Sequence, residues 1–114
     1  MRVKLSPRQV GGVTVIDVSG RVTLGDGASS LREGVREMLG KGHKRILLNL
    51  GEVSYIDSCG IGELVSAFTS TTNQAGQLKL LHVTKRVREL LQLTKLYAVF
   101  DVFEDEAKAV GSFA

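Results

Sequence analysis

The sequence has very little of three residue types that constrain a chain strongly. Among its 114 residues there are one cysteine, Cys59, one proline and no tryptophan. A single cysteine excludes an internal disulfide and fits a reducing compartment. One proline gives no basis for a proline-rich linker. We therefore expect one domain over residues 1–114, large enough to bury a proper core.

Long hydrophobic runs are also missing. No segment approaches the roughly 18 apolar residues that a membrane-spanning helix needs. The first ten residues, MRVKLSPRQV, lack the apolar stretch of a secretory signal. Together these absences predict a cytoplasmic protein without membrane insertion.

The charges are nearly balanced, with a formal net charge of +3. Basic residues cluster in KGHKR (41–45) and KRVRE (85–89), but neither cluster has interleaved aromatic side chains on which bases would stack. The clusters are typical of solvated loop and helix faces. We expect no nucleic-acid partner.

Patterns of common catalytic sites are absent too. The stretch GKGHK lacks the spacing of a phosphate-binding loop, and GIGELV lacks the third glycine of a dinucleotide-binding fingerprint. His43 and His82 have no metal-ligand spacing with another residue. The sequence therefore predicts no metal, no cofactor and no enzymatic activity.

What is present is a regular alternation of strand and helix patterns. Gly11-Gly12 predicts the turn of an initial hairpin, and further strands are predicted over residues 45–50, 78–83 and 99–103. Ser30 and Glu33 have capping-box spacing before the first helix, Gly76 ends the second, Thr84 caps a third, and residues 104–110 form a short fourth. The side chains expected to face the core are Val3, Leu5, Val13, Val15, Val18, Leu31, Val35, Met38, Leu39, Ile61, Leu64, Val65, Phe68, Thr72, Ala75, Val87, Leu90 and Leu91.

This β-β-α-β-α-β-α-β-α order predicts an α/β fold with a mostly parallel sheet, made mixed by the hairpin. The run RILLNL (45–50) is almost continuously apolar, which is typical of a central strand covered on both faces.

Asp57 and Ser58 lie where the second helix should begin. Either side chain can cap free N–H groups of the first turn. The same N–H groups and the helix dipole also favour a phosphate at this place. Gly60 and Gly62 weaken the helix, by roughly 0.5–1 kcal/mol each relative to alanine, but they bare its entrance so that a partner can approach Ser58. Capping and anion binding both stay open at this point.

No charged residue occurs between Glu63 and Lys79. Depletion of charge marks protein interfaces, although a helix covered by its own chain gives the same pattern. The polar residues expected on the outer face are Ser66, Thr69, Ser70, Thr71 and Asn73. Cys59 at the helix entrance can be reactive, but no partner cysteine or base accompanies it, so we interpret it as a small space-filling residue.

The stretch Asp57-Ser58-Cys59-Gly60-Ile61-Gly62 resembles the STAS domain family, and within it the bacterial anti-sigma-factor antagonists. Their pattern is Asp-Ser, a second hydroxyl residue, then Gly-Leu-Gly, after a strand ending in LNL and an aromatic–aliphatic pair. Here the strand end is residues 48–50 and the pair is Tyr55-Ile56. The resemblance covers nearly the whole chain. It implies a STAS-like sheet of about five strands with helices mainly on one side.

The resemblance also implies a switch. Ser58 would be phosphorylated by an anti-sigma factor that is also a serine kinase. The unphosphorylated antagonist would bind this kinase and free the sigma factor, and a serine phosphatase would reset the phosphorylated form. Asp57 would position the hydroxyl or the kinase's metal, or simply cap the helix. Partner contact or support is expected from Asp57, Cys59, Gly60, Ile61, Gly62, Ser66, Thr69, Arg21 and Thr23.

Two departures from the family pattern bear on the partner. Cys59 replaces the second hydroxyl residue, a near-isosteric change. Arg21 and Thr23 stand where antagonists often carry acidic residues, which favours a different complementary surface. Two other functions remain as alternatives: a STAS subunit of a lipid-transport or stress-signalling complex without a phospho-switch, and a Cys59-dependent redox protein.

Overall fold

Five strands form one mixed sheet, in which they lie side by side in the order in which they occur along the chain. The computed structural model describes residues 3–113. The strands are β1 (Lys4–Val10), β2 (Val13–Val22), β3 (Arg45–Ile56), β4 (Gln77–Leu81) and β5 (Val102–Phe103). The helices are α1 (Asp26–Gly40), α2 (Ser58–Asn73), α3 (Lys85–Leu93) and α4 (Glu106–Gly111), with one 3₁₀ turn at Tyr97–Val99. The predicted order of elements is confirmed.

The hairpin forms at the predicted turn. Val10 pairs with Val13 across a two-residue loop, and Gly11 and Gly12 have φ angles of 55° and 80°. Such positive angles fit the twist of the flanking strands and strain any side chain. The remaining strand pairs are all parallel, so β1 alone makes the sheet mixed.

The two faces of the sheet carry separate cores. Helices α1, α2 and α3 bury the larger cluster, in which Ile46 and Leu48 of β3 are completely inaccessible to solvent. Leu47, between them, points to the opposite face and packs near Ala109 of α4. The prediction that β3 is covered on both faces is confirmed.

Val13, Val15 and Val18 are buried as predicted, although Val13 and Val15 lie in the cluster on the α4 side of the sheet and Val18 lies in the larger core. Two predicted core positions were wrong. Thr72, near the end of α2, and Ala75, beyond it, are exposed. A helix that ends at Asn73 and turns at Ala75, with a φ angle of 59°, no longer keeps the 3.6-residue pattern at these positions.

Some predicted boundaries were also wrong. Helix α1 begins at Asp26, so Ser30 lies inside it and forms no capping box with Glu33. Strand β3 continues to Ile56, beyond the predicted end at Leu50. Strand β5 is only Val102–Phe103, because the segment before it forms the 3₁₀ turn and a bend.

Candidate functional site

Asp57 connects the end of β3 to the first turn of α2. Its Oδ1 accepts a hydrogen bond from the Gly60 N–H at 2.9 Å, which makes it the N-cap. Its Oδ2 accepts a second bond, at 3.0 Å, from the N–H of Leu24 in the β2–α1 loop. One carboxylate therefore holds two neighbouring segments, and of the two predicted capping residues Asp57 is the one that caps.

These hydrogen bonds keep Asp57 ionised. Burial by itself would raise the pKa of Asp57, but the N–H groups of Leu24 and Gly60, with those of Cys59 and Asp57 itself, hold it below the usual value. Both oxygens already accept backbone hydrogen bonds. The carboxylate is thus arranged as a cap and a fixed negative charge rather than as a base for Ser58.

Ser58 is the first residue of α2, and its side chain is exposed. Within residues 3–113 its hydroxyl has no hydrogen-bond partner. The neighbouring N–H groups of Leu24 and Gly60 donate to Asp57 instead. Cys59 beside it is also exposed, so the interpretation that it fills a small space was wrong. The helix N-terminus thus presents a free hydroxyl where the dipole favours added negative charge.

The two glycines have different roles. A Cβ on Gly60 would lie 2.2 Å from the Val22 carbonyl oxygen and 2.6 Å from Cγ1 of Ile56. Gly60 is therefore needed so that α2 can pack closely against β2, and the prediction that it bares the helix entrance was wrong. Gly62 is exposed, and a Cβ added there would meet nothing within 4 Å, so it does leave the first turns of the helix bare.

The other predicted residues divide between core and surface. Ile61 is buried in the larger core and supports the helix from inside. Ser66 and Thr69 are exposed, whereas Ser70 is half-buried. Thr71, expected on the outer face, is buried instead, and its Oγ1 donates to the Ala67 carbonyl at 2.8 Å.

The exposed part of α2 therefore offers small, uncharged side chains. Asn73 is exposed at its end, and the one charged residue of the helix, Glu63, is held by Arg32 of α1 at 3.0 Å. Because Arg32 neutralises Glu63, α2 itself presents no unpaired charge.

Arg21 and Thr23 flank the end of β2. Arg21 is exposed, and Thr23 is half-buried with its carbonyl accepting the Ala28 N–H at 2.9 Å.

Sequence reasoning missed three further residues at this end of the sheet, which are Leu24, Tyr55 and Arg86. Leu24 is 77% exposed, and the ring of Tyr55 contacts the guanidinium groups of Arg21 and Arg86. Arg21 pairs with Tyr55 across the parallel strands β2 and β3. The sequence could have predicted this contact only if β3 had been extended past Leu50.

Two negative findings apply to residues 3–113. They contain no cluster of three or more His, Cys, Asp or Glu side chains placed to hold a metal ion. None of their helices is both long enough and apolar enough to cross a membrane.

Comparison with known proteins matches the chain to one domain family. The family model of the STAS domain matches residues 4–109. The chain is 24% identical over 111 residues to a Bordetella bronchiseptica protein provisionally named the anti-sigma factor antagonist BtrV, covering 97% of this chain and 95% of the relative. It is 37% identical over 62 residues to the anti-sigma-B factor antagonist of Bacillus subtilis, covering 54% of each chain.

The fold agrees with solved structures. The phosphorylated form of the Bacillus cell fate determinant SpoIIAA superimposes with a TM-score of 0.72 at 20% identity, covering 96% of each chain. The unphosphorylated form of this anti-sigma factor antagonist matches with a TM-score of 0.69 at 19% identity. The sheet order, the cap at Asp57 and the family match over nearly the whole chain lead to one conclusion: this protein belongs to the STAS domain family.

Proposed function

We propose that this protein is an anti-sigma-factor antagonist whose binding is switched off by phosphorylation of Ser58. The observation that carries the proposal is the Ser58 hydroxyl, exposed and unpartnered within residues 3–113, at the N-terminus of α2. The names of relatives as anti-sigma factor antagonists support it, as does the existence of SpoIIAA in phosphorylated and unphosphorylated forms.

The partner in this proposal is an anti-sigma factor with serine kinase activity, and the setting is the cytoplasm. The unphosphorylated antagonist binds this partner through Ser58 and the uncharged face of α2, and the sigma factor is released. A serine phosphatase removes the phosphate and restores binding. The competing alternative is a STAS subunit of a lipid-transport or stress-signalling complex that is not switched by phosphorylation.

Electrostatics explains why one phosphate is sufficient. Phosphorylation adds roughly −1.5 to −2 charges at neutral pH, next to the ionised carboxylate of Asp57. The helix dipole stabilises this charge in the free protein. Inside a desolvated contact the same charge is costly, and every ~1.4 kcal/mol lost weakens binding about tenfold.

The test begins with the anti-sigma serine kinases of the source organism, each purified and mixed with the protein and ATP. Mass spectrometry should locate phosphate on Ser58. In calorimetric titrations, Ser58→Ala should keep full affinity after ATP treatment, whereas Ser58→Asp should bind at least about tenfold more weakly.

Thr69→Ala is the matched control, because it removes another exposed hydroxyl from the same helix. It should be phosphorylated and released like the parent. Phosphate on Thr69 or Thr84 with Ser58 unmodified would overturn the site assignment. Equal binding by the parent, Ser58→Ala and Ser58→Asp would overturn the switch.

A further inference from the structure

Tyr55, near the end of β3, contacts two arginines through its ring. The guanidinium carbon of Arg21 lies 4.9 Å from the centre of its ring, and that of Arg86 lies 4.7 Å from it. Arg86 Nη2 also donates to the Tyr55 hydroxyl at 3.0 Å. All three residues are exposed. We call Arg21, Tyr55 and Arg86 the arginine–tyrosine stack.

Neither arginine of the stack has a carboxylate partner within residues 3–113. Three other arginines do: Arg8 with Asp17 at 2.7 Å, Arg32 with Glu63 at 3.0 Å and Arg88 with Glu104 at 2.9 Å. The aromatic ring attracts both cations but does not neutralise them. Two positive charges therefore remain exposed at one place.

The position of Arg86 is unfavourable for its own helix. It lies in the first turn of α3, which contains no acidic residue. The dipole makes a helix N-terminus partly positive, so a cation here lowers stability and an acidic residue would raise it. Residues that break a local stability rule are concentrated at functional sites. Its guanidinium group contacts the ring of Tyr55 and donates a hydrogen bond to the Tyr55 hydroxyl.

The stack lies at the same edge of the sheet as Ser58. Tyr55 and Ser58 are separated only by Ile56, the last residue of β3, and Asp57, the cap of α2. Arg21 precedes Val22, whose carbonyl contacts Gly60 in the first turn of α2. A partner that covers Ser58 has the stack within the footprint of an ordinary interface, which takes about 800 Å² from each protein.

We propose that the arginine–tyrosine stack binds an acidic surface of the partner that covers Ser58, and so selects an anti-sigma factor with carboxylates at this point. The inference rests on the function proposed above and names the chemistry of the partner. Guanidinium groups bind carboxylates through paired hydrogen bonds. Arginine and tyrosine are also enriched among the residues that dominate interface energies.

Acid recognition can be tested without the anti-sigma factor. The probe is an acetylated, amidated hexaglutamate peptide, with hexaglutamine as the uncharged control, titrated into the ¹⁵N-labelled protein and followed by NMR. We expect hexaglutamate to shift the Arg21 and Arg86 Nε–H signals and the Tyr55 amide, and hexaglutamine to leave them unchanged. Absence of these shifts, or equal shifts with hexaglutamine, overturns the proposal.

The chain offers a matched control for total charge. Arg21→Gln/Arg86→Gln removes two exposed cations from the stack. Lys44→Gln/Arg45→Gln removes two exposed cations from the turn before β3 and the start of that strand. The first double variant should lose at least about tenfold in affinity for the anti-sigma factor, and the second should stay within about twofold of the parent. Equal losses in both variants overturn the proposal.

The outcomes separate this inference from the function on which it rests. If the parent binds no anti-sigma factor, the proposed function fails, and the peptide titration still decides whether the stack recognises acids. If the parent binds and Arg21→Gln/Arg86→Gln binds equally well, only the inference fails. If a short DNA duplex shifts the stack signals more than hexaglutamate does, the stack is a nucleic-acid surface, which also overturns the proposal.

Discussion

At the scale of single residues, Gly60 and Gly62 show that two glycines of one helix can have different structural roles. Gly60 faces the Val22 carbonyl at a distance that excludes a methyl group, whereas Gly62 faces open space. The sequence pattern alone predicts a role in partner access for both. The distinction could not be predicted, because it depends on how closely α2 approaches a strand that is 38 residues earlier in the chain.

Alanine substitutions test this distinction. Gly60→Ala should lower the free energy of unfolding by about 1–3 kcal/mol, because the backbone oxygen of Val22 must move. Gly62→Ala is the matched control, and it should raise the free energy of unfolding by about 0.5–1 kcal/mol through helix propensity. Urea denaturation measures both. Equal effects of the two variants would contradict the packing role of Gly60.

Asp57 gives a prediction about acid stability. Burial acts to raise its pKa, but the backbone N–H groups outweigh burial and lower the pKa from its ordinary value of 3.8. A lowered folded-state pKa contributes stability that is present above the unfolded-state value and is lost as the pH falls through the folded-state value. Asp57→Asn keeps an N-cap oxygen and removes the charge.

The parent should therefore be more stable than Asp57→Asn at neutral pH, and the difference should shrink as the pH falls below about 3.8. Urea unfolding at a series of pH values measures this difference. A difference that stays constant into the acid range would show that the charge of Asp57 contributes nothing to folding.

At the scale of elements, the sequence predicted which helices and strands exist better than it predicted where they begin and end. The second helix is evident from its apolar spacing, although it ends at Asn73 and not at the predicted Gly76. Thr84 caps α3 as predicted, accepting the Val87 N–H at 3.3 Å. The start of α1 was missed because its N-cap is Gly25, which has no capping side chain. The docking of α1 against the end of β2, where a Cβ on Gly27 would lie 2.3 Å from the Arg21 carbonyl, sets that start instead.

Strand β3 shows a second limit of prediction from the sequence. Gly51 and Glu52 are exposed and look like the end of a strand. The strand continues because the sheet shifts its register between Asp17 and Ser19, and because Asn49 Oδ1 accepts the Gly51 N–H at 3.1 Å. This continuation carries Tyr55 to the candidate site, so the missed strand end and the missed arginine–tyrosine stack have one cause.

Helix α4 is held by an ionic link between three elements. Arg8 of β1 bonds Asp17 of β2 through Nε at 2.7 Å and Glu106 of α4 through Nη1 at 3.0 Å. The hydrogen bond from Arg8 lowers the pKa of Asp17 and of Glu106. These side chains are about a third or more exposed, so solvent and salt screen the link.

Glu106→Gln should therefore destabilise α4 locally, by no more than about 1 kcal/mol. Amide hydrogen exchange should speed up at Ala109 and Val110, and high salt should reduce the difference from the parent. Glu104→Gln, which breaks the pair with Arg88, is the matched control and should leave α4 exchange unchanged. Faster exchange over the whole sheet would contradict a local role.

At the scale of the whole molecule, the proposed switch requires no conformational change. Ser58 lies on the outside of a helix whose inner face is fixed in the larger core by Ile61 and Leu64, 2% and 0% exposed. Adding charge at Ser58 changes the surface potential, not the packing. The free protein should therefore keep one fold in both states.

Ser58→Asp tests this expectation. Its amide chemical shifts should change only around the α2 N-terminus and the β2–α1 loop, and its thermal midpoint should equal or slightly exceed that of the parent, because an acidic residue is favourable at a helix N-terminus. Ser66→Asp, on the same exposed face but later in the helix, is the control and should not gain stability. Shifts spread through β4 and α4 would indicate a conformational switch instead.

The contact of Gly60 with the Val22 carbonyl has a consequence for how such proteins diversify. It joins α2 to the strand that carries Arg21, so Ser58, the proposed phosphate acceptor, and Arg21, a proposed selectivity residue, keep fixed positions relative to each other. Arg21 and Arg86 themselves are exposed and absent from both cores. Under the proposed function, gene duplication followed by exchange of these two side chains would insulate one signalling circuit from another in the same cell, while the proposed phosphorylation site at Ser58 would be inherited unchanged.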